Sequence, residues 1–178
     1  MEHVERIGRT LAYQGTILDI YKDRMVLPNG NQEDWDYVSH RMGAAAVVAV
    51  LEDGKILLVQ QYRPALDRMT WEVPAGCRDD AREDYAVCAK RELREETGYD
   101  CERLERLISL KTIVAFGNEV VEVFLAKNCR KVGAQKLDDA EDINVKAWEL
   151  EELEEKIYAG EIQDAKTVAA IMAYANRK

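Results

Sequence analysis

A chain of 178 residues, 47% hydrophobic and 33% charged with only 3 prolines, is long enough to bury one core, and this composition excludes a disordered or fibrous protein. Its formal charge of -9 argues against holding nucleic acid by phosphate neutralisation, which needs clustered Lys and Arg, and leaves open a small phosphate ester approached through cations. The longest apolar run, 44–51, is too short to span a bilayer and the start MEHVERIGRT lacks a signal-peptide pattern, so a cytoplasmic location is expected.

In chain order, residues 8–27 alternate loosely between apolar and polar, and the turn Pro28-Asn29-Gly30-Asn31 precedes Trp35–Val38. That pattern predicts an N-terminal hairpin or small sheet. Ala44–Leu51, the turn Glu52-Asp53-Gly54 and Ile56–Tyr62 predict a central strand pair rich in valine and leucine. Trp71–Val73 reads as a short strand closed by Pro74-Ala75-Gly76. A polar loop, Cys77–Arg82, then leads into a helix that begins near Asp84 and stops at Gly98. Strands are expected at Leu104–Lys111, Val120–Ala126 and Val145–Trp148, and helices at Leu150–Tyr158 and Ala165–Asn176. The order mixes α and β without βαβ regularity. A soft boundary near Arg41 separates an N-terminal β subdomain, 1–41, from a main domain, 42–178. Cys77, Cys88, Cys101 and Cys129 form no CxxC pair and have no histidine neighbours in sequence, so they read as reduced packing or surface thiols rather than a zinc site.

The chemistry concentrates in Arg91-Glu92-Leu93-Arg94-Glu95-Glu96-Thr97-Gly98-Tyr99. Charge runs usually mark a solvated helix face, but here position decides otherwise. At about 100° per residue, Glu92, Glu95 and Glu96 fall within one arc of roughly 100° that also holds Tyr85, Cys88 and Ala89, while Lys90 and Arg94 point away. Carboxylates three and four residues apart repel one another. Arg91 reaches Glu95 at the i, i+4 spacing, but one arginine does not neutralise three carboxylates. Hard divalent cations are the natural complement, and oxygen-only ligands favour Mg²⁺ or Mn²⁺ over zinc. Such ions bridging acidic side chains and substrate phosphates are a recurrent device for phosphoanhydride hydrolysis.

This segment resembles the signature of the Nudix hydrolase family, GX5EX7REUXEEXGU with U apolar. From Glu83 onward every fixed position falls in register: Arg91, Glu92, Leu93, Glu95, Glu96, Gly98 and Tyr99. The departure is one extra residue between Gly76 and Glu83. The resemblance implies an α+β fold, an α/β/α sandwich with a mixed sheet flanked by helices and a small N-terminal antiparallel sheet. It implies that Glu92, Glu95 and Glu96 bind metal with the Ala75 carbonyl as a further ligand, that Glu83 is structural, and that Arg91 orients a glutamate.

The wider pattern is similar to the ADP-ribose and nucleoside-diphosphate-sugar pyrophosphatase branch over residues 8–176. Gln61-Tyr62-Arg63-Pro64, Trp71-Glu72-Val73-Pro74-Ala75-Gly76, Phe116-Gly117-Asn118-Glu119 and the acidic loop Leu137–Ile143 carry that similarity. It implies cleavage of ADP-ribose to AMP and ribose 5-phosphate, with Glu141, or alternatively Asp139, assisting the attacking water. Arg63, Glu72 and Glu119 become substrate-binding candidates, each with a scaffold role as its alternative. Trp35 and Tyr37 are the aromatics placed to stack on a base, and a homodimer through the N-terminal sheet is implied. Rival readings are another nucleotide sugar, an oxidised nucleotide, or a catalytically silent ADP-ribose sensor, which has no need of an intact acidic set.

Overall fold

The strands and helices form where apolar alternation and capping residues direct them. A computed structural model of the protein describes residues 3–137 and 142–177. Its described contacts divide into two compact units, one comprising the residues up to Gly43 with Lys111–Val120, the other Ala44–Leu110 with Val121 onward.

The first unit is a three-stranded antiparallel sheet, β1 (Glu5–Gln14), β2 (Leu18–Val26) and β3 (Gln32–His40), in the order β1-β2-β3. The predicted turn at 28–31 connects β2 to β3, with the Gly30 N–H donating to Leu27 O and Gly30 at φ 85. The segment 111–120 joins this unit through Val38, whose N–H donates to Phe116 O at 2.7 Å.

The second unit is built on an eight-stranded mixed sheet. Its spine runs β11 (Asn144–Trp148), β5 (Ile56–Arg63), β4 (Ala44–Leu51), β10 (Val120–Lys131) and β8 (Tyr99–Asp100). β6 (Arg68–Glu72) pairs with β5, β7 (Ala75–Cys77) with β4, and β9 (Leu104–Lys111) with β10. β4 and β10 are parallel, whereas β4 and β5 are antiparallel.

The run Ala44–Leu51 is apolar throughout because both sheet faces are covered. Ala46, Val48 and Val50 point into one core with Leu153, Ile162, Ala170 and Ile171. Ala45, Val47 and Ala49 point into another with Cys88, Ala89 and Leu93. The helices supplying these residues are α2 (Leu150–Tyr158) and α3 (Ala165–Ala175) on the first face and α1 (Tyr85–Thr97) on the second, which makes the α/β/α sandwich expected from the sequence.

Two local features depart from the sequence reading. The Pro74-Ala75-Gly76 stop is itself the start of β7, which pairs in register with Ala44–Ala46, so the turn and a short strand share the same residues. β10 does not end at Ala126, because a bulge between Ala126 and Cys129, with Asn128 at φ 55, lets the strand continue far enough to pair with β8.

A carboxylate cluster between helix α1 and strand β7

Helix α1 begins where Asp84 accepts from the Ala86 N–H at 2.7 Å and ends where Gly98 adopts φ 73. Alanine in that left-handed conformation would be strained, and its Cβ would also lie 2.4 Å from Gly133 O. The last turn is closed from outside as well. The Lys136 N–H donates to Glu95 O at 2.8 Å, and Gln135 Nε2 donates to Glu96 O at 2.6 Å and to Ile143 O at 3.0 Å. These bonds satisfy carbonyls that a helix end leaves open, and they hold the backbone of the glutamates in place.

The helical spacing places Glu92 and Glu96 inward as expected, whereas Glu95 sits at the edge of that arc with its side chain 39% exposed. Glu92 and Glu96 are buried, at 8% and 3% exposure, beside Cys88, Ala89 and Leu93. Glu96 Oε2 accepts from the Ala75 N–H at 3.0 Å, tying the helix to β7. Glu92 lies flat against Gly76, where an added Cβ would sit 2.2 Å from Oε1. Glycine is required there for lack of space, since the carboxylate occupies the volume of a methyl group.

Arg91 is the counter-charge. Its Nη1 donates to Glu92 Oε1 at 2.6 Å and to Glu95 Oε2 at 3.1 Å, its Nη2 donates to Cys77 O at 2.9 Å, and its Nε reaches Glu83 Oε1 at 3.3 Å. Burial works against this charge, yet Glu83 and then Glu92 and Glu95 hold the guanidinium pKa above its usual value. Glu83 in turn accepts from the Asp79 N–H at 2.8 Å, so it braces the loop and sits away from the inward arc. The extra residue of the 77–82 loop is absorbed in a turn, with the Glu83 N–H donating to Asp80 O, and leaves Glu83 in reach of Arg91. Burial, followed by the charge of Glu92, pushes the Cys88 thiol up to about 12, so it stays protonated.

A cavity of 290 Å³ opens at this point, lined by Ala75, Gly76, Asp79, Arg91, Glu92, Glu95 and Lys136. Among the described residues no three His, Cys, Asp or Glu side chains converge in a ready-made coordination shell, since Arg91 holds Glu92 and Glu95 and the Ala75 N–H holds Glu96. The donor set nevertheless fits a hard cation. It offers carboxylate oxygens against a glycine backbone on a helix whose own backbone is fixed, so side-chain rotation alone redirects the oxygens. Lys136 has no sequence signal of its own, because only the fold of 132–136 back onto α1 brings it to the cavity.

A second polar cluster lies where β5, β6 and the start of α3 meet. Arg63 grips Glu72 through two bonds, Nε–Oε1 at 2.6 Å and Nη2–Oε2 at 2.5 Å. Thr70 Oγ1 donates to Oε1 at 2.7 Å and Lys166 Nζ donates to Oε2. Burial alone would raise the Glu72 pKa, but Arg63, Lys166 and Thr70 hold it at about 2. Glu72 is 3% exposed with both oxygens engaged, so its carboxylate organises Arg63 and Lys166. Lys166, 94 residues away in sequence, carried no local signal. The field of Glu96 also acts on Arg63, which links the two clusters electrostatically.

Trp35 and Glu119 belong to the first unit. Trp35 is exposed on β3 and its Nε1 donates to Glu33 at 3.3 Å. The Tyr37 ring face is covered by the Arg9 guanidinium at 3.8 Å. Glu119 accepts from Thr112 Oγ1 and lies 3.8 Å from His40 Nε2. Asp139 and Glu141 lie outside the described residues.

Residues 40–171 match the NUDIX domain family. The chain is 38% identical to the methanol dehydrogenase activator of Bacillus methanolicus, covering 89% of this chain and 85% of that protein. It is 36% identical to the ADP-ribose pyrophosphatase of Bacillus subtilis (strain 168), covering 93% and 89%. A crystal structure of an ADP compounds hydrolase superposes with a TM-score of 0.87 over 98% of this chain and 94% of the other, at 16% identity, and so shares the fold. With the signature helix packed on β7 and a family match over most of its length, this chain belongs to the NUDIX domain family.

Proposed function

We propose that this protein hydrolyses the diphosphate of nucleoside diphosphate sugars, with ADP-ribose cleaved to AMP and ribose 5-phosphate. The observation that carries the reading is the seat of Glu92 on Gly76, with buried Glu96 and part-exposed Glu95 beside it on one arc of α1. The Bacillus subtilis relative named for ADP-ribose supports the choice of substrate.

Glu92, Glu95 and Glu96, with the Ala75 carbonyl, would hold Mg²⁺ or Mn²⁺. When bound, such ions supply Lewis acidity that neutralises a diphosphate and eases deprotonation of water. Arg91 sets the orientation of Glu92 and Glu95, and the Ala75 N–H sets that of Glu96. Glu141, or Asp139 in its place, takes the proton of the attacking water, and the leaving group departs as a phosphate monoester. Arg63, positioned by Glu72, binds a substrate phosphate or ribose hydroxyl; Glu72, Trp35 and Glu119 are carried as further substrate-binding candidates, with Trp35 the one suited to stack on a base. A homodimer formed through the β1–β3 sheet and a cytoplasmic location complete the proposal.

The test is release of monophosphate from ADP-ribose, ADP-glucose, GDP-mannose and 8-oxo-dGTP, with Mg²⁺ and then with EDTA. Selective, EDTA-sensitive cleavage of ADP-ribose supports the reading. Binding without turnover of any of them replaces it with the sensor.

A further inference from the structure

Two of the four cysteines stand opposite each other across a strand pair. β8 and β10 are antiparallel, with Tyr99 facing Lys131 and Asp100 facing Arg130, and the next step of that register sets Cys101 against Cys129. Directly opposed residues in antiparallel strands have Cα atoms about 4.5–5.5 Å apart, inside the roughly 4.4–6.8 Å that a disulfide spans. Both side chains enter the same core, on the α1 face of the sheet, where Cys129 Sγ donates to Ala126 O at 3.6 Å. Their backbones are held on both sides. The Cys101 N–H donates to Asp100 Oδ1 at 2.8 Å, and Cys129 is paired with Leu51 of β4 just past the bulge.

The pair is also reachable by a small oxidant. Cys101 and Cys129 are 5% and 3% exposed, yet Cys101 lines a cavity of 470 Å³ together with Lys90, Arg103 and Arg130. We propose that Cys101 and Cys129 are a redox-active cross-strand thiol pair that closes to a disulfide when a peroxide enters this cavity. Cys101 is the attacking sulfur. It lines the cavity, and its neighbour Cys129, followed by the charge of Lys90 working against burial, lowers its pKa, whereas Cys101 and burial raise that of Cys129. The Cys101 thiolate attacks one peroxide oxygen, the O–O bond breaks, and the released hydroxide takes up a proton to leave as water. The Cys129 sulfur then attacks the sulfenic sulfur of Cys101, the S–O bond breaks, and the second hydroxide leaves as water with the Cys129 proton. Two thiols lose two electrons and two protons in all, and hydrogen peroxide becomes two waters. The chemistry is independent of the nucleotide reading.

The test uses the full chain carrying Cys77→Ser, which removes the exposed thiol and leaves three cysteines. After reduction, brief hydrogen peroxide treatment should lower the accessible plus denaturant-released thiol count from three to one. The intact mass should fall by roughly 2 Da, and a non-reducing digest should contain a peptide linking 101 to 129, all reversed by dithiothreitol. Adding Cys129→Ser should halt the reaction at a sulfenic acid on Cys101 that dimedone captures. Three titrating thiols in the oxidised protein, or a mass gain of about 16 or 32 Da in place of the loss, would overturn the proposal. If the second variant fails to fold, the mass change in Cys77→Ser alone decides.

Discussion

Gly76→Ala is the sharpest perturbation of the carboxylate cluster, because it adds one methyl group at a point the structure defines closely. The new Cβ would stand 2.2 Å from Glu92 Oε1, 2.3 Å from its Cδ and 2.6 Å from Oε2, whereas ordinary contact begins at 3.4 Å. Restoring contact requires the carboxylate to retreat by about 1.2 Å, the difference between 3.4 and 2.2 Å. Glu92 is buried and bonded to Arg91 at 2.6 Å, so the retreat breaks or redirects that bond. Misplacement of a reacting group by ~1 Å costs on the order of 100-fold in rate, and overpacking a filled site costs about 1–3 kcal/mol in stability. The assay is kcat for AMP release from ADP-ribose in saturating Mg²⁺, alongside a urea midpoint. A kcat within about twofold of the parent in a folded Gly76→Ala protein would refute the claim that Glu92 acts from its seat on Gly76.

Further outcomes follow from the same geometry. Glu96→Ala should remove most turnover while circular dichroism stays unchanged, and unchanged kcat in the folded variant would defeat its assignment as a metal ligand. Arg91→Ala leaves Glu83, Glu92 and Glu95 without their shared cation and should lower stability by ~3 kcal/mol, as for a broken part-buried pair, read as a shift in urea midpoint. Glu72, held at about 2 against an ordinary 4.5, contributes stability that is complete above pH 4.5 and is lost as pH falls through 2. Because Arg63 is 40% exposed and solvent screens the pair, the contribution is about 2 kcal/mol. The stability gap between wild type and Glu72→Gln should therefore narrow on acidification from pH 7, and a gap that widens would contradict the assignment. Asp84→Ala removes the N-cap of α1 and should cost ~1 kcal/mol in thermal or urea unfolding.

The parts of the fold and site that were legible in sequence are those set by local spacing. The 3.6-residue period of α1 put Glu92, Glu95 and Glu96 beside Cys88 and Ala89, and the uninterrupted apolar run of β4 signalled a strand covered on both faces. Gly98 marked the helix end because only its left-handed conformation closes that turn. What stayed hidden depends on distant segments meeting. β7 looked like a turn because its pairing with β4 joins residues some thirty positions apart. The partners of Glu72 were hidden because Arg63 and Lys166 reach its carboxylate from β5 and α3. Gln135 and Lys136 acquire their places only when the chain after β10 returns to the end of α1. The cysteines read as reduced packing or surface thiols, and all four are free with three of them buried, but the register that sets Cys101 opposite Cys129 has no local motif.

The proposed role of the α1 carboxylates and a hard divalent cation in converting a nucleoside diphosphate sugar to a nucleotide and a sugar phosphate is open to one decisive assay. The most direct measurement is AMP formation from ADP-ribose by the purified wild-type protein, with Mg²⁺ or Mn²⁺, with EDTA, and again after the cation is restored. EDTA should abolish turnover and the restored cation should recover it, with Glu96→Ala inactive throughout. Undiminished turnover in EDTA, or no AMP from any nucleotide sugar under either cation, would contradict it.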